Sequence, residues 1–128
     1  MQGYDYLMIN DTLYSSNQMK QILIGLKNGI DPVILGRFNW SPSDIKILVN
    51  GLSKGKDLNY SNPKMESNQL REIILGIAQD VNYKIYEDEK INSLTMRGAR
   101  IALSKNKSID HIDLKKVDFL FFIKNNLI

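Results

Sequence analysis

The chain has 128 residues, of which 43% are hydrophobic, and carries no cysteine and a formal net charge of +3. That size and apolar content suffice for one small folded domain burying roughly two thirds of its unfolded surface. The cysteine count excludes disulfides, thiol catalysis and sulfur-ligated zinc, and the charge falls short of the basic excess usual in nucleic-acid readers.

Taken in chain order from Asp5, the sequence divides into repeats at 5–30, 31–56, 57–81, 82–107 and a partial 108–128, with lengths of 26, 26, 25, 26 and 21 residues. Each opens on Asp5, Asp31, Asp57, Asn82 or Ser108, side chains that accept hydrogen bonds from the free amides of a first helical turn. Pro32 follows Asp31 at the first helical position, where its missing amide proton costs nothing. A short helix, or a single tight turn, is expected at the head of every repeat.

A second helix start follows about ten residues later, with Ser15, Ser41, Glu66, Asn92 and Asp118 as caps and Pro42 again at the first helical position. Tyr14, Trp40, Met65, Ile91 and Val117 precede those caps, and Met19, Ile45, Leu70, Met96 and Phe122 lie five residues further on. Apolar groups in both columns form a hydrophobic staple. Ser15 with Gln18 and Ser41 with Asp44 add capping boxes, whereas Glu66 is a poor cap whose helix is expected to slip by one residue.

The longer helix carries its apolar stripe at Met19, Ile22, Leu23 and Leu26, matched by Ile45, Leu48, Val49 and Leu52 and by Leu70, Ile73, Ile74 and Ile77. This is the spacing of a one-sided amphipathic helix. Gly25, Gly51, Gly76 and Ala102 form a small-residue column beside it, a place for close approach of a neighbouring backbone. Gly29, Gly55, Asp80 and Asn106 then stop each helix, being residue types that reach the left-handed conformation.

Neither helix of a repeat buries its apolar face alone, and stacking repeats of this length does. The expected fold is all-α: a short right-handed α-solenoid of tandem two-helix repeats in a single domain, 1–128, with an apolar C-terminal helix. A compact helical bundle is the weaker alternative, since it does not require every repeat to keep the same caps and small column.

Gln18, Met19, Ile22, Gly25, Leu26, Gly29 and Asp31, with Gln69, Leu70, Ile73, Gly76 and Ile77, form a pattern that spans most of the chain. It resembles a family of short α-helical repeats in uncharacterised proteins of Gram-positive bacteria, their phages and mobile elements. The repeat at 82–107 departs from it, with Thr95 in place of the glutamine and Ala102 in place of the glycine. More loosely, the chain is similar to variant leucine-rich repeats that alternate α and tighter helices. The resemblance implies a fold and a genomic setting and brings no catalytic residues.

Lys20, Lys46, Arg71 and Arg97 follow the staple column, one per full repeat. With helices roughly 8 to 10 Å apart they would make a ladder of about 25 to 30 Å. Such a ladder suits a nucleic-acid backbone or an acidic protein, or is simply a solvated face. His111, the single histidine, shares a mostly apolar column with Met8, Ile34, Tyr60 and Ile85, which favours packing over metal binding. Gly51, Lys54 and Gly55 lack the spacing of a phosphate loop, and Glu87 with Asp88 reads as a solvated pair. At the C-terminus, Phe119, Leu120, Phe121, Phe122 and Ile123 are apolar all round a helix, so that segment is either buried or a self-association surface for a homodimer.

No apolar run approaches the roughly 20 residues that cross a membrane, and Met1–Asn10 lacks the features of a signal peptide. A cytoplasmic setting without a membrane partner is expected. The functional expectation is a non-enzymatic, protein-binding repeat module with no cofactor and no metal. The family resemblance adds the role of a phage or mobile-element inhibitor of host defence, of the anti-CRISPR kind. A nucleic-acid-binding module using the basic ladder is the alternative.

Overall fold

In a computed structural model the described residues are 6–9, 12–38, 40–110 and 112–117. They form a hairpin of β1 (Tyr6–Ile9) and β2 (Thr12–Ser15), then five α-helices: α1 (Ser16–Lys27), α2 (Pro32–Arg37), α3 (Pro42–Ser53), α4 (Ser67–Ala78) and α5 (Ser93–Ser104). A 3-10 turn at Tyr83–Ile85 precedes α5. The class is all-α, with one small antiparallel sheet. Contacts divide the chain into two compact halves, Met1–Asn59 and Tyr60–Ile128.

Four of the helices, α1, α3, α4 and α5, are each 12 residues long. Their starts follow from side-chain chemistry. Ser41 Oγ accepts from the Asp44 amide at 3.1 Å while Asp44 Oδ2 accepts from the Ser41 amide at 3.3 Å, a reciprocal capping box. Asn92 Oδ1 accepts from the Thr95 amide at 2.9 Å. Glu66 also holds its cap position, and α4 does not slip, because Gln69 Oε1 accepts from the Glu66 amide at 2.8 Å. The third helical residue, a side chain reaching back, thus compensates for a weak cap.

Their ends are built alike. Gly29, Gly55, Asp80 and Asn106 have φ of 90°, 79°, 59° and 58°, the left-handed conformation. In every case the next amide donates to the carbonyl of the small-residue column: Ile30 to Gly25, Lys56 to Gly51, Val81 to Gly76 and Lys107 to Ala102, at 3.0, 3.1, 3.1 and 3.0 Å. These are Schellman turns, which satisfy carbonyls that a helix end leaves without partners. The chain is thereby reversed at one fixed point in each repeat.

What approaches the small column is side chain rather than the expected backbone. A Cβ on Gly25 would stand 3.1 Å from Ile30 Cδ1, and one on Gly76 would overlap the Tyr86 hydroxyl. Leu35 and Tyr86 hold the same position in their repeats, and each fills the space left by the preceding glycine. Trp40, Met65 and Ile91 of the staple column are buried, as are Ile45, Leu70 and Met96. Trp40 also donates from Nε1 to the Ile34 carbonyl at 2.9 Å and meets Phe38 edge to face, so a fully buried indole leaves no polar atom unpaired.

Three further expectations are corrected. The first repeat opens on the β1–β2 hairpin instead of a short helix, with Tyr6 opposite Ser15 and Ile9 opposite Thr12. Tyr, Ile and Thr favour strands, and α1 lies against both strands, which supplies the packing a lone hairpin lacks. The third repeat has no short helix. Asp57 Oδ1 accepts from the Asn59 amide and Asn62 Oδ1 from the Lys64 amide, each at 3.0 Å, and such turns compete with a helix, as does Pro63 for the residue before it. Finally, Leu23 and Leu26, assigned to the core stripe of α1, are exposed.

Candidate functional site

The basic column does not have one environment. In the N-terminal half, where α1 packs on α3, Lys20 and Lys46 are both exposed. In the C-terminal half, where α4 packs on α5, Arg71 is half-buried and Arg97 Nε donates to Glu72 Oε1 at 3.1 Å. Two of the four cations are therefore exposed, and the other two are drawn toward the protein. Among the described residues the expectations for His111 and for Phe119, Phe121, Phe122 and Ile123 find no counterpart, since those positions lie outside them.

Glu72 is the centre of a buried polar network. Its Oε2 accepts from Arg100 Nε at 2.9 Å, and its backbone carbonyl accepts from the Tyr86 hydroxyl at 2.8 Å. Arg100 Nη1 donates in turn to Gln79 Oε1 at 2.7 Å. Burial of a carboxylate and a guanidinium is tolerated only where each is paired and hydrogen-bonded. Burial also pushes the Tyr86 phenol well above its ordinary pKa, with Arg100 pulling the other way. The network joins α4 to α5 and to Tyr86, and Gln69 ties α4 to the segment before α5 by donating to the Glu89 and Ile91 carbonyls at 3.0 and 2.7 Å.

Nearer the surface of the same half, the Tyr60 hydroxyl donates to Glu87 Oε2 at 2.6 Å and its ring meets Tyr83 edge to face. Desolvation first, and then the Glu87 bond, push the Tyr60 phenol up to about 12. Asp88 instead pairs with Lys115 Nζ at 3.1 Å. A cleft of about 270 Å³ lies between the 84–91 and 112–115 segments. Glu87 and Asp88 border it but are committed to different partners, so they are not arranged as an acid and base pair. Among the described residues no cluster of His, Cys, Asp or Glu could hold a metal ion, and no helix is long and apolar enough to cross a membrane.

Among the described residues, three of the four exposed large hydrophobic side chains lie on α1. Leu23, Ile24 and Leu26 are 50%, 42% and 40% exposed, whereas Ile74 and Leu75, which hold the first two of those positions on α4, are 2% and 0% exposed. Lys20 and Lys27, both exposed, stand at either end of the patch.

The chain is thus all-α in class, with four 12-residue helices among the described residues, each closed by a Schellman turn. Comparison with protein-family models, curated proteins and solved structures finds no match. The Glu72 network and the α1 patch were not anticipated from sequence. A glutamate adjacent to a ladder arginine, with Arg97 and Arg100 three residues apart on the next repeat, is the signal that could have found the network.

Proposed function

We propose that this chain is a non-enzymatic protein-binding module whose two-helix repeats stack as a short right-handed α-solenoid. The observation that carries the reading is the group of three large aliphatic side chains, Leu23, Ile24 and Leu26, exposed together on α1. Clustered exposed aliphatic groups, two of them at positions that are buried on α4, mark a macromolecular contact surface. The stacking is supported by four helices of equal length that share caps, small column and stops. The resemblance to repeats of phages and mobile elements supports an inhibitor of host defence, of the anti-CRISPR kind, and that role rests on association alone.

A nucleic-acid-binding reading is favoured by one observation, the exposure of Lys20 and Lys46 at the same helical position. It is weakened by Arg97, whose charge is met by Glu72 at 3.1 Å. Affinity capture from a lysate of the native host separates the two, comparing wild type with K20E/K46E, with and without nuclease. Both substitutions fall on exposed side chains, so the fold is kept. A nuclease-resistant protein partner is the expected result. Recovery lost both with nuclease and with the charge reversal would reject the protein-binding reading in favour of nucleic acid.

A further inference from the structure

The α1 patch also constrains the chemistry of what covers it. On α1, Lys20 precedes Leu23 and Ile24 by one turn and Lys27 follows them by one turn. Lys20 and Lys27 are therefore two turns apart on one side of the helix, about 10 Å at 1.5 Å per residue. The α1 sequence, SNQMKQILIGLK, contains no carboxylate. The surface is thus an apolar patch closed at both ends by positive charge, with no acid on its own helix to neutralise it.

Equivalent positions show what such a patch is shaped to receive. Ile74 and Leu75 occupy the columns of Leu23 and Ile24 on α4, and both are buried. The same helical geometry that packs against protein on α4 is presented to solvent on α1. We propose that this face of α1 is a docking site for an amphipathic helix of a partner protein, one whose apolar stripe is flanked by carboxylates. This rests on the protein-binding reading and names the chemistry of its partner. Residues at spacings of three and four on the incoming helix meet Leu23, Ile24 and Leu26, in the manner of helix recognition by an apolar surface, and the carboxylates meet Lys20 and Lys27. Those pairs set orientation, and the like-charge contact the two lysines would make with a basic partner excludes it.

Charge and area decide against the other occupants. A second copy of α1 would set its own lysines against Lys20 and Lys27, a like-charge contact with no compensating acid on either helix. A lipid surface would satisfy the lysines, but interfacial anchoring scales with buried apolar area. Here that area is limited to three side chains on a helix already packed against α3.

The test titrates the whole chain, by fluorescence anisotropy, against synthetic amphipathic peptides of about 20 residues, long enough to hold helix. One carries a Leu and Ile stripe flanked by Glu, the second the same stripe flanked by Lys, and the third a scrambled order of the first. The Glu-flanked peptide is expected to bind at least about tenfold more tightly than the others. K20E/K27E is expected to reverse that preference, and L23S/I24S/L26S to abolish it while circular dichroism shows the helices retained. Equal binding of the Glu- and Lys-flanked peptides, or a preference that survives K20E/K27E, would overturn the proposal. So would a wild-type dimer in sedimentation that L23S/I24S/L26S dissolves, or tighter binding to vesicles of anionic lipid than to the Glu-flanked peptide. If the peptides fail while a protein partner is still captured through another face, only the docking site is lost; if no protein partner is captured either, the protein-binding reading falls with it.

Discussion

Arg100 Nε lies 2.9 Å from Glu72 Oε2, and both side chains are almost wholly buried, at 8% and 2% exposure. The pair joins α5 to α4 across 28 residues of sequence. Arg97 shares the same carboxylate through Oε1 but remains 43% exposed. One buried acid is thus held by two arginines of unequal burial.

That inequality orders the expected losses. E72A leaves the buried Arg100 without its carboxylate and should cost about 3–5 kcal/mol, and R100A, which leaves the buried Glu72 with only the more exposed Arg97, should cost less than E72A but more than R97A. R97A removes a contact largely open to water and should cost under about 1 kcal/mol. The double replacement E72M/R100M keeps shape and removes both charges, so it should lie near wild type. Urea unfolding of the four variants provides the ranking, and comparable losses for R97A and R100A would contradict it.

Gly76 and Gly25 occupy the same column but should respond differently to alanine. At Gly76 the new Cβ would overlap the Tyr86 hydroxyl and stand 3.2 Å from Tyr86 Cζ, a buried ring that cannot retreat. G76A should therefore destabilise by about 1–3 kcal/mol despite the better helix propensity of alanine. At Gly25 the nearest atom is the end of the Ile30 side chain, 3.1 Å away, which has to give by only a few tenths of an ångström; the gain of about 1 kcal/mol in propensity offsets the crowding. Thermal unfolding should separate the two variants clearly, and Y86F should recover part of the G76A loss.

Gly55 tests the helix stops without any packing effect. Its φ is +79° and nothing lies within 4 Å of a Cβ built there. G55A should still cost about 1–2 kcal/mol, the penalty of a left-handed L-residue. Asp80, at φ 59°, should gain up to about 1 kcal/mol on replacement by glycine. Opposite signs in the unfolding midpoints are the expected outcome.

Asp88 gives the pH dependence. The Lys90 amide first, and then the Lys115 ammonium, hold its carboxyl below the ordinary range, while Asp88 raises Lys115. A depressed folded pKa contributes stability above the ordinary carboxylate value, which is lost as pH falls through the lower folded one. For Lys115 the contribution is present below the ordinary lysine value and is lost as pH rises through the raised one. A carbon-13 NMR titration should place the Asp88 midpoint below that of an unfolded reference peptide. K115A should move it only part of the way back, because the Lys90 amide bond at 2.8 Å remains.

Legibility in the sequence followed the range of the interactions. Ser41, Asn92, Gly29, Gly55, Asp80 and Asn106 act on amides and carbonyls within a turn of themselves, and their roles were readable one residue at a time. Apolar periodicity likewise placed Ile45, Leu48, Leu70 and Ile73 in the core. The same periodicity misplaced Leu23 and Leu26, because it reports which face of a helix is apolar and not whether anything covers that face. The hairpin escaped because Asp5 followed by Tyr6, Leu7 and Met8 satisfies a helix-cap pattern as well as a strand pattern. Glu72 and Arg100 went unread for a different reason: the residues stand in adjacent repeats, but an ion pair between repeats is specified by which columns face each other, and a single repeat does not contain that information.

The claim that this chain works by binding another protein is tested most directly by photocrosslinking in a lysate of the native host, with a benzophenone side chain in place of Leu23 and, for comparison, of Leu94, which is also 50% exposed. A discrete adduct from position 23, sensitive to protease and indifferent to nuclease, is the expected result, with position 94 giving little or none. An adduct destroyed by nuclease, or equal smears from both positions, would contradict the claim.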